Sequence, residues 1–197
     1  MFGFGKKKST GGIWDKYSGM GNSDGMLTAK GESLGSVIAY LSNSVAESFL
    51  ERVKERESDF DDEKYYKDVY LETIAVLVHL SDRIAFSILG PEKRAPFIDS
   101  AVDTIAKNLS ETQEDETLKQ QMIPHFRKFI DGKQQEFANY KIPESSDEPM
   151  GGTLFWEVSN NYSEICELKH DIITMMTAQT LISSALPTME VKELLSN

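Results

Sequence analysis
The residues of this chain best placed to do chemistry lie on one segment, residues 65–91, YYKDVYLETIAVLVHLSDRIAFSILGP. It reads as a long helix, apolar nearly all round, with Asp68, Glu72, His79, Asp82 and Arg83 on a narrow polar stripe. A helix turns about 100° per residue, so these positions share one side, and Glu72, His79 and Asp82 could converge. A carboxylate beside an imidazole raises its pKa and fixes its tautomer, which suits a proton shuttle or a metal ligand. The plainer reading is that the stripe is the helix's one watery edge, with Glu72 or Asp82 paired to Lys67 or Arg83. An enzyme built on the stripe requires Glu51, or Glu164, Glu167 and His170, to face it from another helix.

Glu167 and His170 form the one Glu-x-x-His pair, spaced to share a helix face. The pair resembles half of the ligand pattern of ferritin-like di-iron proteins, in which two helices each supply such a pair and two others each supply a Glu. The second pair is absent, because Val76 precedes His79 by three positions and Met122 precedes His125. Three histidines in a helical chain also resemble the DinB-like proteins in number, but His79, His125 and His170 fall on different expected helices and carry no motif. No metal and no cofactor is expected. Cys166, one turn from His170, reads as a packing cysteine rather than a nucleophile.

Two surfaces suggest contacts rather than chemistry. Met175, Met176, Leu181, Ile182, Leu186 and Met189 give one segment an apolar, adaptable character among hydroxyl side chains. A core helix is one account of it; a seam with a second copy, or an apolar ligand pocket, is the sharper one. Residues 172–189 are also the longest uncharged run, too polar for a convincing membrane span. At the other end, Phe2, Phe4 and Lys6 to Lys8 could rest on an anionic membrane. Three lysines contribute only about 1 kcal/mol each, so such contact is weak without a second signal.

Composition narrows the partners. Of the net charge of −11, residues 1–31 carry five lysines against two acids, so the remainder is strongly acidic. An acidic body without a Lys/Arg stripe repels phosphate backbones, which argues against nucleic acid. One cysteine permits no intramolecular disulfide, and no apolar run suited to a signal peptide follows the start, so a cytoplasmic location is expected.

The elements that must position these residues are helices throughout. Residues 33–57 show apolar side chains every three or four positions (Leu34, Ile38, Leu41, Val45, Phe49, Val53), with Gly35, Ala39, Ser42 and Ala46 allowing close packing. Gly90-Pro91 stops the stripe helix. A third helix follows through Phe97 to Leu109, and a fourth through Leu118 to Phe137, with a break expected near Gln121 because Pro124 lies inside it. A loop at 141–152 precedes a fifth helix over 154–186, and Thr188 caps a short last one. The spacing predicts an all-α, single-domain antiparallel bundle of about five main helices plus a short C-terminal helix, occupying 32–197. The first 31 residues, with eight of the thirteen glycines, are expected to form a basic, irregular arm. With no complete catalytic set, the expected role is a non-enzymatic interaction or self-association module whose partner is a protein or a second copy. The alternatives are a small-ligand- or metal-binding enzyme around Glu72, His79 and Asp82, and a peripheral membrane adaptor acting through the arm.

Overall fold
The computed structural model describes residues 13–17, 19–142, 151–169 and 171–196. Among them a 3-10 turn at Asp15–Tyr17 leads into α1 (Asp24–Arg56), α2 (Asp62–Glu111), α3 (Glu116–Phe137), α4 (Leu154–Ile165), α5 (Ile172–Met189) and α6 (Val191–Ser196). The fold is an all-α bundle; the described residues include no strand, only an isolated bridge between Lys141 and Thr153.

The stripe helix is the bundle's axis. Residues 72–81 of α2 are buried in unbroken sequence, as a helix apolar on most of its circumference requires. α1 lies along α2, with α3, α4 and α6 packed around it and α5 bridging α1 and α4. α2 is the one helix among the described residues long and apolar enough to cross a membrane, and other helices cover its apolar run. Gly90, at φ 75° and ψ 179°, bends α2 sharply where the Gly-Pro pair was expected to stop it.

After this bend, the second half of α2 crosses α1 backbone to backbone. A Cβ on Gly31 would stand 2.2 Å from the Phe97 carbonyl oxygen, and one on Gly35 2.4 Å from that of Ala101. Ser100 Oγ donates to the Thr28 carbonyl at 2.8 Å across the same contact.

Four boundaries differ from those read in the sequence. α1 starts at Asp24, so residues 24–31 of the expected arm are helical; Lys30 and Gly31 are buried there by the α2 crossing and the preceding chain. Residues 1–12 lie outside the described residues. α3 runs through Pro124 without a break, forgoing the single bond that the ring nitrogen cannot donate to the Gln120 carbonyl. The expected fifth helix is two helices. α4 ends in a left-handed residue, Glu167 at φ 60°, with Leu168 N donating to the Ser163 carbonyl at 2.8 Å and Glu167 N to Glu164 at 3.0 Å. This is the Schellman pattern, and Asp171 then caps α5 by accepting from Ile173 N and Thr174 N. Thr188 is not a cap: it lies inside α5, which ends at Glu190 in the left-handed region.

The segment ahead of α1 is pinned at three points. Trp14 Nε1 donates to the Met189 carbonyl at 2.9 Å, Tyr17 Oη to Ala29 at 2.8 Å, and Asn22 Nδ2 to Leu195 at 2.8 Å. The buried Lys30 ammonium bonds the Gly21 carbonyl at 3.0 Å and Asn22 Oδ1 at 2.9 Å, and burial lowers its pKa.

Candidate functional site: a buried polar stripe and an uncharged face
α3 and α4, not α1 or α5, face the stripe. Its residues do not converge: Glu72, His79 and Asp82 each take a different partner, and Asp68 and Arg83 are exposed. Glu72, 4% exposed, holds Lys133 Nζ at 2.9 Å through Oε2 and accepts from Asn161 Nδ2 at 2.7 Å through Oε1. Lys133 also reaches Glu136 at 3.1 Å. Burial pulls the Lys133 ammonium toward neutrality, but Glu72 and Glu136 more than reverse this, so its pKa is raised. One ammonium between two carboxylates ties α2 to α3, with Asn161 bringing in α4.

His79 lies two turns further along, 3% exposed, with Nδ1 2.6 Å from Gln134 Oε1 and its ring edge-on to Phe137. An Nδ1 bonded to an amide oxygen carries the proton, leaving Nε2 as an acceptor; Nε2 and Gln134 Nε2 are both buried without a partner. Burial lowers the His79 pKa, Arg83 adds to the effect, and the Gln134 bond and Asp82 oppose it. The ring's bonding partner is an amide, not a carboxylate, and burial favours its neutral form. Asp82 pairs instead with Arg94 beyond the Gly90 bend, while Arg83 is exposed. Between α2 and α3 lies a cleft of about 290 Å³ whose lining is half apolar, Val78, Ile98, Val102 and Ile130 among it, and half polar, with Asp82, Arg94, Asp99, Arg127, Asp131 and Gln134.

The residues required for an enzyme on the stripe lie elsewhere. Glu51 and Glu164 are exposed, and Glu167 pairs with Lys64 on the surface at 2.8 Å. His170 is outside the described residues. Among the described residues, no three of His, Cys, Asp and Glu form a group that could hold a metal ion. Cys166 is buried, and burial pushes its thiol up to about 12. Lys133, Gln134 and Asn161, the partners that decide the stripe's chemistry, were not read from the sequence. The signal was present: Lys133 and Gln134 interrupt the apolar seam that Phe126, Ile130 and Phe137 define on α3.

The second candidate, the Met-rich segment, divides into two faces. Met175 and Ile182 belong to the core, at 4% and 0% exposed, and Leu181 is half-buried. Met176 points outward at 60% exposed, beside Ile172 at 63% and Ile173 at 59%. Ile172 and Met176 border a groove of about 640 Å³ between α4 and α5, lined by Trp156, Ser159, Met175, Gln179, Thr180 and Ser183 among others. α5 is the one helix here without a charged residue. Its outer hydroxyls are already engaged: Thr177 donates to the Ile173 carbonyl at 2.8 Å, Thr180 to Met176 at 2.8 Å and Ser184 to Thr180 at 2.9 Å. Such a face can lose its water without leaving those donors unpaired.

No family model, no curated protein and no solved structure matches this chain.

Proposed function
We propose that the protein is a non-enzymatic, cytoplasmic helical interaction module whose docking surface is the outer face of α4 and α5. One observation carries the reading: three large apolar side chains, each well over half exposed, stand together on an uncharged helix beside an apolar groove. Single exposed apolar residues are ordinary, whereas a contiguous patch with self-satisfied hydroxyls favours a partner. The stripe supports the same view from the other side, since Glu72 and Asp82 are engaged in pairs that fasten helices and His79 is bonded to an amide. In-cell photo-cross-linking with p-benzoylphenylalanine in place of Met176 tests it. A discrete adduct is expected from that site and not from Lys119 on α3; equal labelling from both, or none, refutes the reading.

A second reading, a small-ligand enzyme, rests on the cleft at Gln134, where Arg94, paired with Asp82, and Arg127, paired with Asp103, line the space and the Gln134 amide nitrogen is buried without a partner. It requires saturable stabilisation by a small anion such as phosphate that Arg127→Gln abolishes; an unchanged melting temperature up to millimolar phosphate rejects an anionic ligand.

A further inference from the structure
We infer that a second copy of this chain occupies the α4–α5 face, its α5 running antiparallel to the first about a two-fold axis near Thr180. The inference rests on the docking surface proposed above and names its occupant.

Charge is the first argument. A chain of net charge −11 repels its own copy wherever charged faces meet, and α5 is the described helix on which no charge stands. Size is the second. The exposed large residues, Ile172, Ile173 and Met176, fall in the first half of α5, whereas Thr180, Ser183, Ser184 and Thr188 make the second half small. A two-fold axis at Thr180 sets Met176 against the partner's Ser184 and Ile172 against its Thr188. Each protruding side chain then meets a low stretch, and the groove at Thr180, Ser183 and Ser184 receives Met176. This is the self-complementarity an isologous contact needs, because every pairing occurs twice. A parallel arrangement would set Ile on Ile and Ser on Ser. The area is that of a small interface: α5 is about 27 Å long and the two helices together about 20 Å wide, so the face offers at most about 540 Å² in plan, below the roughly 800 Å² per partner of a standard interface and suited to a micromolar self-contact.

Light scattering and cysteine pairing on the full chain test the inference, and the buried Cys166 gives little background. Wild-type protein is expected to be dimeric at about 100 μM, as a Kd near 1 μM requires. Met176→Glu, at an exposed site that keeps the fold, is expected to give monomer. Thr180→Cys is expected to oxidise mainly to a disulfide-linked dimer, at least ten-fold faster than Lys107→Cys. Met176→Cys and Ser184→Cys proteins should link to each other when mixed and far less to themselves. A wild-type monomer, a dimer indifferent to Met176→Glu, or Thr180→Cys no faster than the control each overturns the inference. In none of these cases does the photo-cross-linking result change: an adduct at Met176 with a mass other than twice the chain's keeps the docking surface and removes the second copy.

Discussion

Removing the Lys133 ammonium while leaving Glu72 in place separates a structural stripe from a functional one. At 2.9 Å the pair's gross attraction is about 6 kcal/mol for an effective dielectric constant near 20, and most of it offsets the cost of taking Glu72 out of water. In Lys133→Met, Oε1 keeps Asn161 but Oε2 faces an apolar side chain in a site 4% exposed. Breaking a buried pair costs about 3–5 kcal/mol. Because the Lys133 side chain keeps 20% of its exposure, water can reach part of the gap and the low end, about 3 kcal/mol, is expected. The converse change is milder: in Glu72→Met the ammonium keeps Glu136 at 3.1 Å and water, for a loss of about 1–2 kcal/mol. The double variant removes both charges together and is expected within about 1 kcal/mol of wild type, so the cycle yields a coupling of at least about 3 kcal/mol. Urea unfolding at pH 7 with unchanged m-values measures all four corners. Additive losses, or a Lys133→Met cost below about 1 kcal/mol, would show that the pair does not fasten α3 to α2.

Three further outcomes follow from the geometry. Gly31→Ala and Gly35→Ala each drive a Cβ into a carbonyl of α2 and are expected to cost about 1–3 kcal/mol, whereas Gly132→Ala, in open space on α3, gains about 0.5–1 kcal/mol; calorimetric melting of the three distinguishes packing from helix propensity. His79 titrates below its ordinary 6.5 in the fold, so the unfolded chain takes up the proton first and stability falls as pH drops below 6.5, by at most about 1.4 kcal/mol per pH unit. His79→Gln should flatten this slope relative to wild type in urea titrations from pH 7 to pH 5, and an identical slope would place the imidazole in water. Asp171→Ala loses both the α5 cap and the Arg56 pair, for about 1–2 kcal/mol in the same assay. Asp171→Asn keeps the cap; although burial opposes it, Thr174 and Arg56 hold the aspartate near 2, so wild type's advantage over the asparagine stands above pH 3.8 and fades as pH falls through about 2.

The helices were legible because apolar spacing is a direct image of burial. α2 announced itself as the axis through an apolar circumference, and Gly90-Pro91 marked its bend through chemistry that only those two residues supply. The break between α4 and α5 was hidden because Glu167 takes the left-handed position where glycine is the usual marker; Asp171, a good capping residue, was the remaining clue. The start of α1 was obscured by Gly25 and Gly31, poor helix formers that tertiary contact overrides: Gly31 is there because no larger residue fits against Phe97. At the stripe, periodicity put Glu72, His79 and Asp82 on one side correctly, yet two turns of helix separate Glu72 from His79, about 10 Å, and no one-helix argument can name what stands opposite. Lys133, Gln134 and Asn161 arrive from 55 to 89 positions away in sequence, so their roles depend on topology.

The hydrogen bond from Trp14 to the Met189 carbonyl has a consequence in time. It joins residues 175 positions apart, and closing a loop of that length costs about 4–5 kcal/mol of chain entropy before any contact rewards it. The strap from Trp14 to Asn22 can therefore dock only once α5 and α6 are in place. A ribosome adding 5–20 residues per second needs roughly 10–35 s to make that stretch. Over that interval Trp14 has no Met189 to hold, and the Lys30 ammonium lacks the settled Asn22 that bonds Leu195.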